Sequence, residues 1–142
     1  VRPRGPTAAR RPGRWRAVTG APDLLLVAVA GGLGAASRFL LDTVVARHNR
    51  WSTPLGTLVV NVTACFLLGL LTGWGATHPG PGDVVAVLGV GFLGGYSTFS
   101  TASVEGARLL LAGRGAVALV HALGMLLVCL VAAVAGIALG GG

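Results

Sequence analysis

The sequence predicts an all-α membrane protein whose subunit has four transmembrane helices, the third of them broken in mid-membrane. Of its 142 residues, 54% are hydrophobic and 11% are charged, whereas about a quarter of the residues of a soluble domain carry charge. The apolar residues form four runs of about 20 residues, which is the length that crosses a bilayer. The third run alone is interrupted by a cluster of glycines and hydroxyl residues.

The four spans are predicted at about residues 24–45, 54–74, 84–110 and 115–139, and together they form a membrane body over residues 23–142. Pro54 suits the start of the second helix, because its missing N–H would have had no partner there. Short polar connectors separate the spans. No arrangement of residues typical of catalysis or of a metal cluster stands out, so no enzyme is predicted. A literal G-x-G-x-x-G at residues 89–94 lies inside a span, which argues against dinucleotide binding.

The N-terminal segment, residues 1–22, is predicted to be a disordered cytoplasmic tail, because it is rich in Arg, Pro and Gly. Beside a membrane body, its arginines favour an anionic membrane surface as partner rather than nucleic acid. The charge bias on topology is contradictory. The tail indicates an inner N-terminus, whereas Arg47, Arg50 and Arg114 in the connectors indicate an outer one. Insertion in both orientations and a tail that fixes one orientation both remain open.

Small residues spaced four apart predict close helix contacts and, because four helices bury little, an oligomer. The pairs are Gly31/Ala35, Gly69/Gly73, Gly91/Gly95 and Gly136/Gly140. The chain has two cysteines, Cys65 and Cys129, both in apolar runs. They are interpreted as small packing residues, since two isolated thiols do not establish a disulfide or a metal pair.

The interruption of the third span, residues 91–101, is where the sequence predicts the functional site. Non-helical backbone is tolerated at membrane depth only where it is buried in protein or lines a wet path. Such a break therefore indicates an ion or substrate site. Its freed carbonyls can bind a hard cation. The hydroxyls of Thr98 and Ser100 and the ring edge of Phe99, which carries partial positive charge, can line a path for a small anion.

Further polar residues inside the spans each allow two interpretations. Asn61 shares a helix face with Thr57, and it forms either an interhelical hydrogen bond or a donor that faces a pore. Arg38 either lies in a vestibule or pairs with a partner, or snorkels to the interface. Glu105 lies in a similar place near the end of the third span, and its simplest interpretation is an ion pair with Arg108 on the next turn. His121, Met125 and Cys129 share one face of the fourth span.

Three blocks of sequence resemble the small fluoride channels called Fluc or CrcB. Residues 31–38 (GGLGAASR) resemble the first-helix G-G-x-x-G-A-x-x-R of that family. Residues 54–61 (PLGTLVVN), followed by residues 66–69 (FLLG), resemble its second-helix motif. Residues 91–101 (GFLGGYSTFST), then Glu105, resemble its third-helix G-F-x-G-G-x-T-T-F-S-T-F-S-x-E. The resemblance extends from about residue 30 to the C-terminus.

This resemblance implies a subunit that pairs antiparallel with a second copy or a homologous subunit, and that exports fluoride passively from a bacterial cytoplasm across the cell membrane. It also implies a structural sodium ion (Na+) at the dimer centre, bound by the carbonyls of Gly94 and Ser97. Asn61 and Phe99 would be pore residues. The polar groups of the pore or vestibule would be Thr57, Thr98 and Ser100, and the vestibule or structural charges would be Arg38 and Glu105.

Departures from the family pattern leave alternatives open. The second pore phenylalanine is Ala102 here, and a Gly-Ser pair that follows the pore asparagine is Ala64-Cys65. The chain could accordingly require an oppositely oriented homologous subunit that supplies the aromatic ring, or be a non-conducting subunit. An alternative from another class is a small multidrug-type proton-coupled transporter. That class needs a central carboxylate in a span, and Asp42 and Glu105 lie near span ends.

Overall fold

The computed structural model describes residues 21–48, 55–78 and 82–142. Residues 1–20 of the predicted tail, and the predicted helix start at Pro54, lie outside the described residues. Helix α1 is Ala21–His48 and helix α2 is Leu55–Thr77. The third span is Gly82–Leu111, and the fourth is a single helix over Gly115–Gly140, here called α5.

Within the described residues, four helices are long and apolar enough to cross a membrane, which confirms the predicted fold class. The helices extend up to three residues beyond most of the predicted bounds. Backbone hydrogen bonding continues past the point where the apolar run ends, so hydropathy locates a span better than it locates a helix end.

The third span is broken in mid-membrane, as predicted. Its first half, α3, is residues 82–96 and consists of three consecutive helical pieces, Gly82–Val85, Ala86–Leu93 and Gly94–Tyr96. The middle piece is π-helical. Its second half, α4, is Phe99–Leu111. Between them the backbone is extended at Ser97 (φ −70°, ψ 159°) and Thr98 (φ −147°, ψ 117°).

The π-helical piece was not expected from the sequence, and it contains part of the literal G-x-G-x-x-G. Gly89 and Gly91 are buried there. A Cβ at Gly91 would lie 2.9 Å from the Ala30 Cβ and 3.0 Å from the Val27 carbonyl oxygen of α1. π-helical turns are rare in proteins and frequently lie at functional sites. Here the wide turn lies just before the break.

Glycines bring the backbones of two helix pairs into direct contact. Gly34 of α1 lies against the Phe92 carbonyl of α3, and Gly95 lies against the Gly31 carbonyl. In the other pair, Gly69 of α2 lies against the Ala133 carbonyl of α5. The small-residue faces are thus covered within one subunit. They confirm the predicted close helix packing. The sequence-based argument took them as a reason for an oligomer, but by themselves they require no second subunit.

A small apolar core joins the α2/α5 pair to the α1/α3 pair. Val60 and Ala64 of α2 pack with Leu93 and Tyr96 of α3, all four of them buried. The Tyr96 hydroxyl lies 2.8 Å from Thr63 Oγ1, so its polar end is hydrogen-bonded inside the bundle. Most other large apolar side chains are exposed, which suits a surface whose solvent is lipid.

Helix α4 ends in a glycine turn. The Arg114 N–H donates to the Leu109 carbonyl at 2.9 Å, and the Gly113 N–H donates to the Leu110 carbonyl at 3.0 Å. Gly113 has φ of +72°, a left-handed conformation that a residue without Cβ adopts at no steric cost. This tight turn lets α5 begin at Gly115 and run back beside α2.

Candidate functional site

The break in the third span is held open by Asn61 of α2. Asn61 Nδ2 donates to the Thr98 carbonyl oxygen at 2.9 Å, and the Thr98 N–H donates to Asn61 Oδ1 at 2.9 Å. The side-chain amide therefore pairs with both backbone groups of one extended residue, as a neighbouring β-strand would. Unpaired, these groups would each be costly at membrane depth. The pairing explains how an extended residue is stable there.

This arrangement releases two carbonyl groups from helical hydrogen bonding. In a continuous helix the Thr98 N–H would donate to Gly94 and the Thr101 N–H would donate to Ser97. Instead the Thr98 N–H donates to Asn61 Oδ1, and the Thr101 N–H donates to Thr98 Oγ1 at 3.2 Å. Gly94 and Ser97 are the two residues predicted to bind a cation through their carbonyls. Their helical donors are both engaged elsewhere.

The residues around the break face out of the subunit. Gly94, Ser97 and Ser100 are exposed, and the Phe99 side chain is 87% exposed. Thr98 is half-buried, and its hydroxyl lies 2.9 Å from Thr101 Oγ1 and 3.3 Å from Ser100 Oγ. The break therefore presents an exposed aromatic ring and a chain of hydroxyls midway along the third span.

A second polar cluster lies between α2, α4 and α5. Thr57, which is 2% exposed, donates its hydroxyl to Glu105 Oε1 at 2.6 Å. The other carboxylate oxygen, Glu105 Oε2, lies 3.6 Å from His121 Nε2. The expected pair between Glu105 and Arg108 is not found among the described residues; Glu105 turns towards the bundle instead. The Thr57 hydroxyl and the imidazole are better partners for it, because burial strengthens such contacts.

Two charged residues of the first span, Arg38 and Asp42, lie on α1. Arg38 is half-buried on α1, and its Nε is enclosed without a hydrogen-bond partner among the described residues. Its vestibule role stays a prediction. Asp42 packs its carboxylate against Gly56 in the first turn of α2. A negative charge there stabilises the helix N-terminus, where unpaired N–H groups concentrate partial positive charge.

A groove of about 730 Å³ opens between α4 and α5 with α2 at its base. Phe99 and Ala102 line it from α4, so the position of the absent second phenylalanine faces open space. Asn61 lines it from α2. The remaining polar or sulfur-containing lining residues are Cys65, Ser97, Thr98, Ser103, His121, Met125 and Cys129.

Helices α2 and α5 run parallel in a constant register, which the sequence-based interpretation missed. Residues separated by 64 positions face each other: Asn61 Nδ2 lies 3.6 Å from Met125 Sδ, and Gly69 contacts Ala133. The sequence shows the two stripes separately. Thr57, Asn61 and Cys65 recur every four residues, and so do their counterparts on α5. Each stripe was recognised alone, but nothing in the sequence pairs the two.

Comparison with known proteins gives one family and consistent relatives. Residues 25–137 match the family model described as "CrcB-like protein, Camphor Resistance (CrcB)". A protein of Leifsonia xyli subsp. xyli named "Fluoride-specific ion channel FluC 1" is 48% identical over 118 residues, which cover 83% of this chain and 86% of that protein.

Two further relatives are named "Fluoride-specific ion channel FluC 2". The one from Cutibacterium acnes is 46% identical over 82% of this chain and 96% of its own length. The one from Moorella thermoacetica is 42% identical over 72% of this chain and 84% of its own length. The match to the family model contains α2, α3 and α4 in full and all but the last three residues of α5. The chain is therefore a member of the CrcB family.

Proposed function

We propose that this chain is a subunit of a fluoride-selective ion channel that lets fluoride leave the cytoplasm passively. The observation that carries the proposal is the break at Ser97 and Thr98 midway along the third span, which Asn61 stabilises and which leaves Phe99 exposed. The names of the relatives, which are fluoride-specific ion channels, support the same function.

The chemistry of the break suits a small anion with little remaining hydration. Fluoride needs hydrogen-bond donors or positive dipoles, and it must not be bound so tightly that it cannot leave. The ring edge of Phe99 offers partial positive charge without a full positive charge. The hydroxyls of Thr98 and Ser100 lie beside it and can turn their protons towards the ion. Undissociated HF crosses membranes and dissociates in a less acidic cytoplasm, so a passive path is enough to remove the trapped anion.

We infer that a second subunit covers this surface. Gly94 and Ser97 are exposed, with carbonyls that have lost their helical donors. Such groups cannot face lipid, because hydrocarbon offers no donors. A second copy inserted in the opposite orientation, or a homologous subunit, would bury them. The contradictory charge bias of the connectors and tail suits insertion in both orientations.

We propose sodium as the ion that these carbonyls bind. A hard cation prefers oxygen ligands, and Gly94 and Ser97 offer two oxygens whose helical donors are engaged elsewhere. When bound, sodium would supply positive charge that holds the breaks of two subunits together. It would have a structural role, since nothing in the proposed conduction requires it to move.

The membrane is proposed to be the cytoplasmic membrane of a bacterium, as for a channel that empties the cytoplasm. A heterodimer-obligate or non-conducting subunit remains the competing proposal, because Ala102 leaves the groove without a second aromatic ring. Membership of the CrcB family argues against the multidrug-type transporter.

The proposal is tested by fluoride efflux from liposomes that contain the purified chain, measured with a fluoride electrode. Liposomes loaded with chloride and read with a chloride electrode are the control for selectivity. Rapid loss of fluoride with retention of chloride is the expected result. A folded, reconstituted chain that releases neither ion would contradict a self-sufficient channel. Efflux that then appears on co-reconstitution with a homologous subunit would establish the heterodimer.

A further inference from the structure

The sulfur atoms of this chain are gathered in one place. The chain contains two cysteines and one methionine, and all three, Cys65, Cys129 and Met125, line the groove between α4 and α5. Met125 Sδ accepts a long hydrogen bond of 3.6 Å from Asn61. Both cysteines are free thiols of intermediate burial.

The register of α2 and α5 places the two thiols opposite each other. The Asn61–Met125 contact lies one helical turn to one side, and the Gly69–Ala133 contact lies one turn to the other. Cys65 and Cys129 occupy the turn between these contacts, with the same separation in sequence, and both line the groove. Met125 is one turn from Cys129 on the same face of α5, since residues four apart share a helix face.

We propose that Cys65 and Cys129, with the thioether of Met125, form a site for a thiophilic monovalent cation such as Cu+ or Ag+. Thiolate and thioether sulfur are the ligands that soft metal ions select. Each thiol that binds the ion as thiolate releases its proton to solvent, and no redox step is needed. The backbone contact at Gly69 holds the helices at a fixed distance beside the site, so the two sulfur ligands are pre-positioned.

This site would regulate the proposed channel, and that part rests on the proposed function. Asn61 lies one turn from Cys65 and beside Met125, and both the sulfur cluster and Phe99 line the same groove. A bound cation there would compete with Asn61 for Met125 and occupy space beside the break. Fluoride efflux would be blocked by the metal and restored by a competing thiol.

The binding test uses the purified chain in detergent, kept reduced and checked for two reactive thiols after unfolding. Ag+ is added in chloride-free fluoride buffer, excess metal is removed by gel filtration, and bound silver is measured. About one Ag+ per chain is expected, because the proposed site shares two thiols and one thioether around a single soft ion. Loss of retention is expected in the double variant C65S/C129S, and weaker retention in Met125→Leu. Ser103→Ala, which removes a groove hydroxyl but no sulfur, is the matched control and should retain silver.

Equal silver retention by the wild type and C65S/C129S, or no retention by a wild type with two free thiols, would overturn the site. A second measurement follows fluoride efflux with and without Ag+, with dithiothreitol added afterwards. Block of the wild type alone, reversed by dithiothreitol, supports regulation, and efflux that ignores bound silver refutes it. Silver retention does not require conduction, so a chain that binds silver but passes no fluoride would contradict the channel proposal and not the metal site.

Discussion

Asn61 binds the backbone of Thr98 through both ends of its carboxamide, with two hydrogen bonds of 2.9 Å. One side chain of α2 thereby satisfies the donor and the acceptor of an extended residue in the centre of the third span. The same pairing withdraws the Thr98 N–H from Gly94, so the stability of the break and the release of a carbonyl group have one cause.

Replacing Asn61 by Ala should destabilise the fold. Both backbone groups of Thr98 would lose their partner, and a buried polar group without a partner costs about 1–3 kcal/mol. The measurement is the free energy of unfolding in detergent. Thr72→Ala is the matched control on α2, because among the described residues the Thr72 hydroxyl bonds only to the Leu68 carbonyl of its own helix. Equal stability of the two variants would show that Asn61 does not support the break.

Replacing Thr98 by Val should weaken the start of α4 and the sodium dependence of the assembly together. The Thr98 hydroxyl caps α4 by accepting from the Thr101 N–H, and loss of such a cap costs about 0.5–2 kcal/mol. Without that acceptor, the Thr101 N–H is free to donate to the Ser97 carbonyl, as in a continuous helix. Thr98→Ser keeps the hydroxyl and is the control.

The measurement is the melting temperature of the reconstituted protein, compared between a sodium buffer and a buffer that contains a large organic cation instead. Wild type and Thr98→Ser are expected to melt higher in sodium, and Thr98→Val is expected to lose that difference. If Thr98→Val keeps the full stabilisation by sodium, these carbonyls are not the ligands of the ion.

Two glycines of α5 should differ in how far they tolerate alanine. A Cβ at Gly136 would overlap the Phe66 carbonyl and lie 2.7 Å from the Leu70 nitrogen, whereas a Cβ at Gly124 meets nothing within 4 Å. Gly136→Ala should force the two helices apart and lower the melting temperature, since overpacking typically costs about 1–3 kcal/mol. Gly124→Ala should leave it nearly unchanged. Similar melting temperatures would refute backbone contact between α2 and α5.

The buried pair between Thr57 and Glu105 should tolerate Ser but not Val at position 57. Thr57 is 2% exposed, and its hydroxyl donates to Glu105 at 2.6 Å. Valine has the same shape but leaves a carboxylate oxygen unpaired, at a cost of about 1–3 kcal/mol or more. Serine retains the donor. The free energies of unfolding of the two variants measure the difference, and a Val variant as stable as the Ser variant would contradict the contact.

The sequence predicts the spans and the break well because both are local properties. Twenty apolar residues define a span whatever they pack against, and the glycines and hydroxyls of residues 91–101 exclude a continuous lipid-facing helix there. The partner of Asn61 is not a local property of the sequence. It depends on which backbone groups pack against α2, and in the structure these are the groups of Thr98.

The partners of Glu105 and of the glycine pairs could not be predicted from the sequence for the same reason. Arg108 is the nearest opposite charge along the chain, whereas Thr57 and His121 come close only once α2, α4 and α5 have packed. Gly69 and Gly136 lie on helices that meet through a register which hydropathy does not encode. Small residues predict that a close contact forms, but they do not say whether it forms inside the subunit or between subunits.

The central claim is that the exposed Phe99 at the break belongs to a fluoride path. The most direct test compares Phe99→Ala with Leu111→Ala in the fluoride efflux assay, because both side chains are almost fully exposed, at 87% and 89%, and both belong to α4. At equal amounts of reconstituted protein, Phe99→Ala should reduce efflux at least about tenfold, which corresponds to a barrier raised by about 1.4 kcal/mol, while Leu111→Ala should conduct like the wild type. Equal efflux from both variants would contradict the claim.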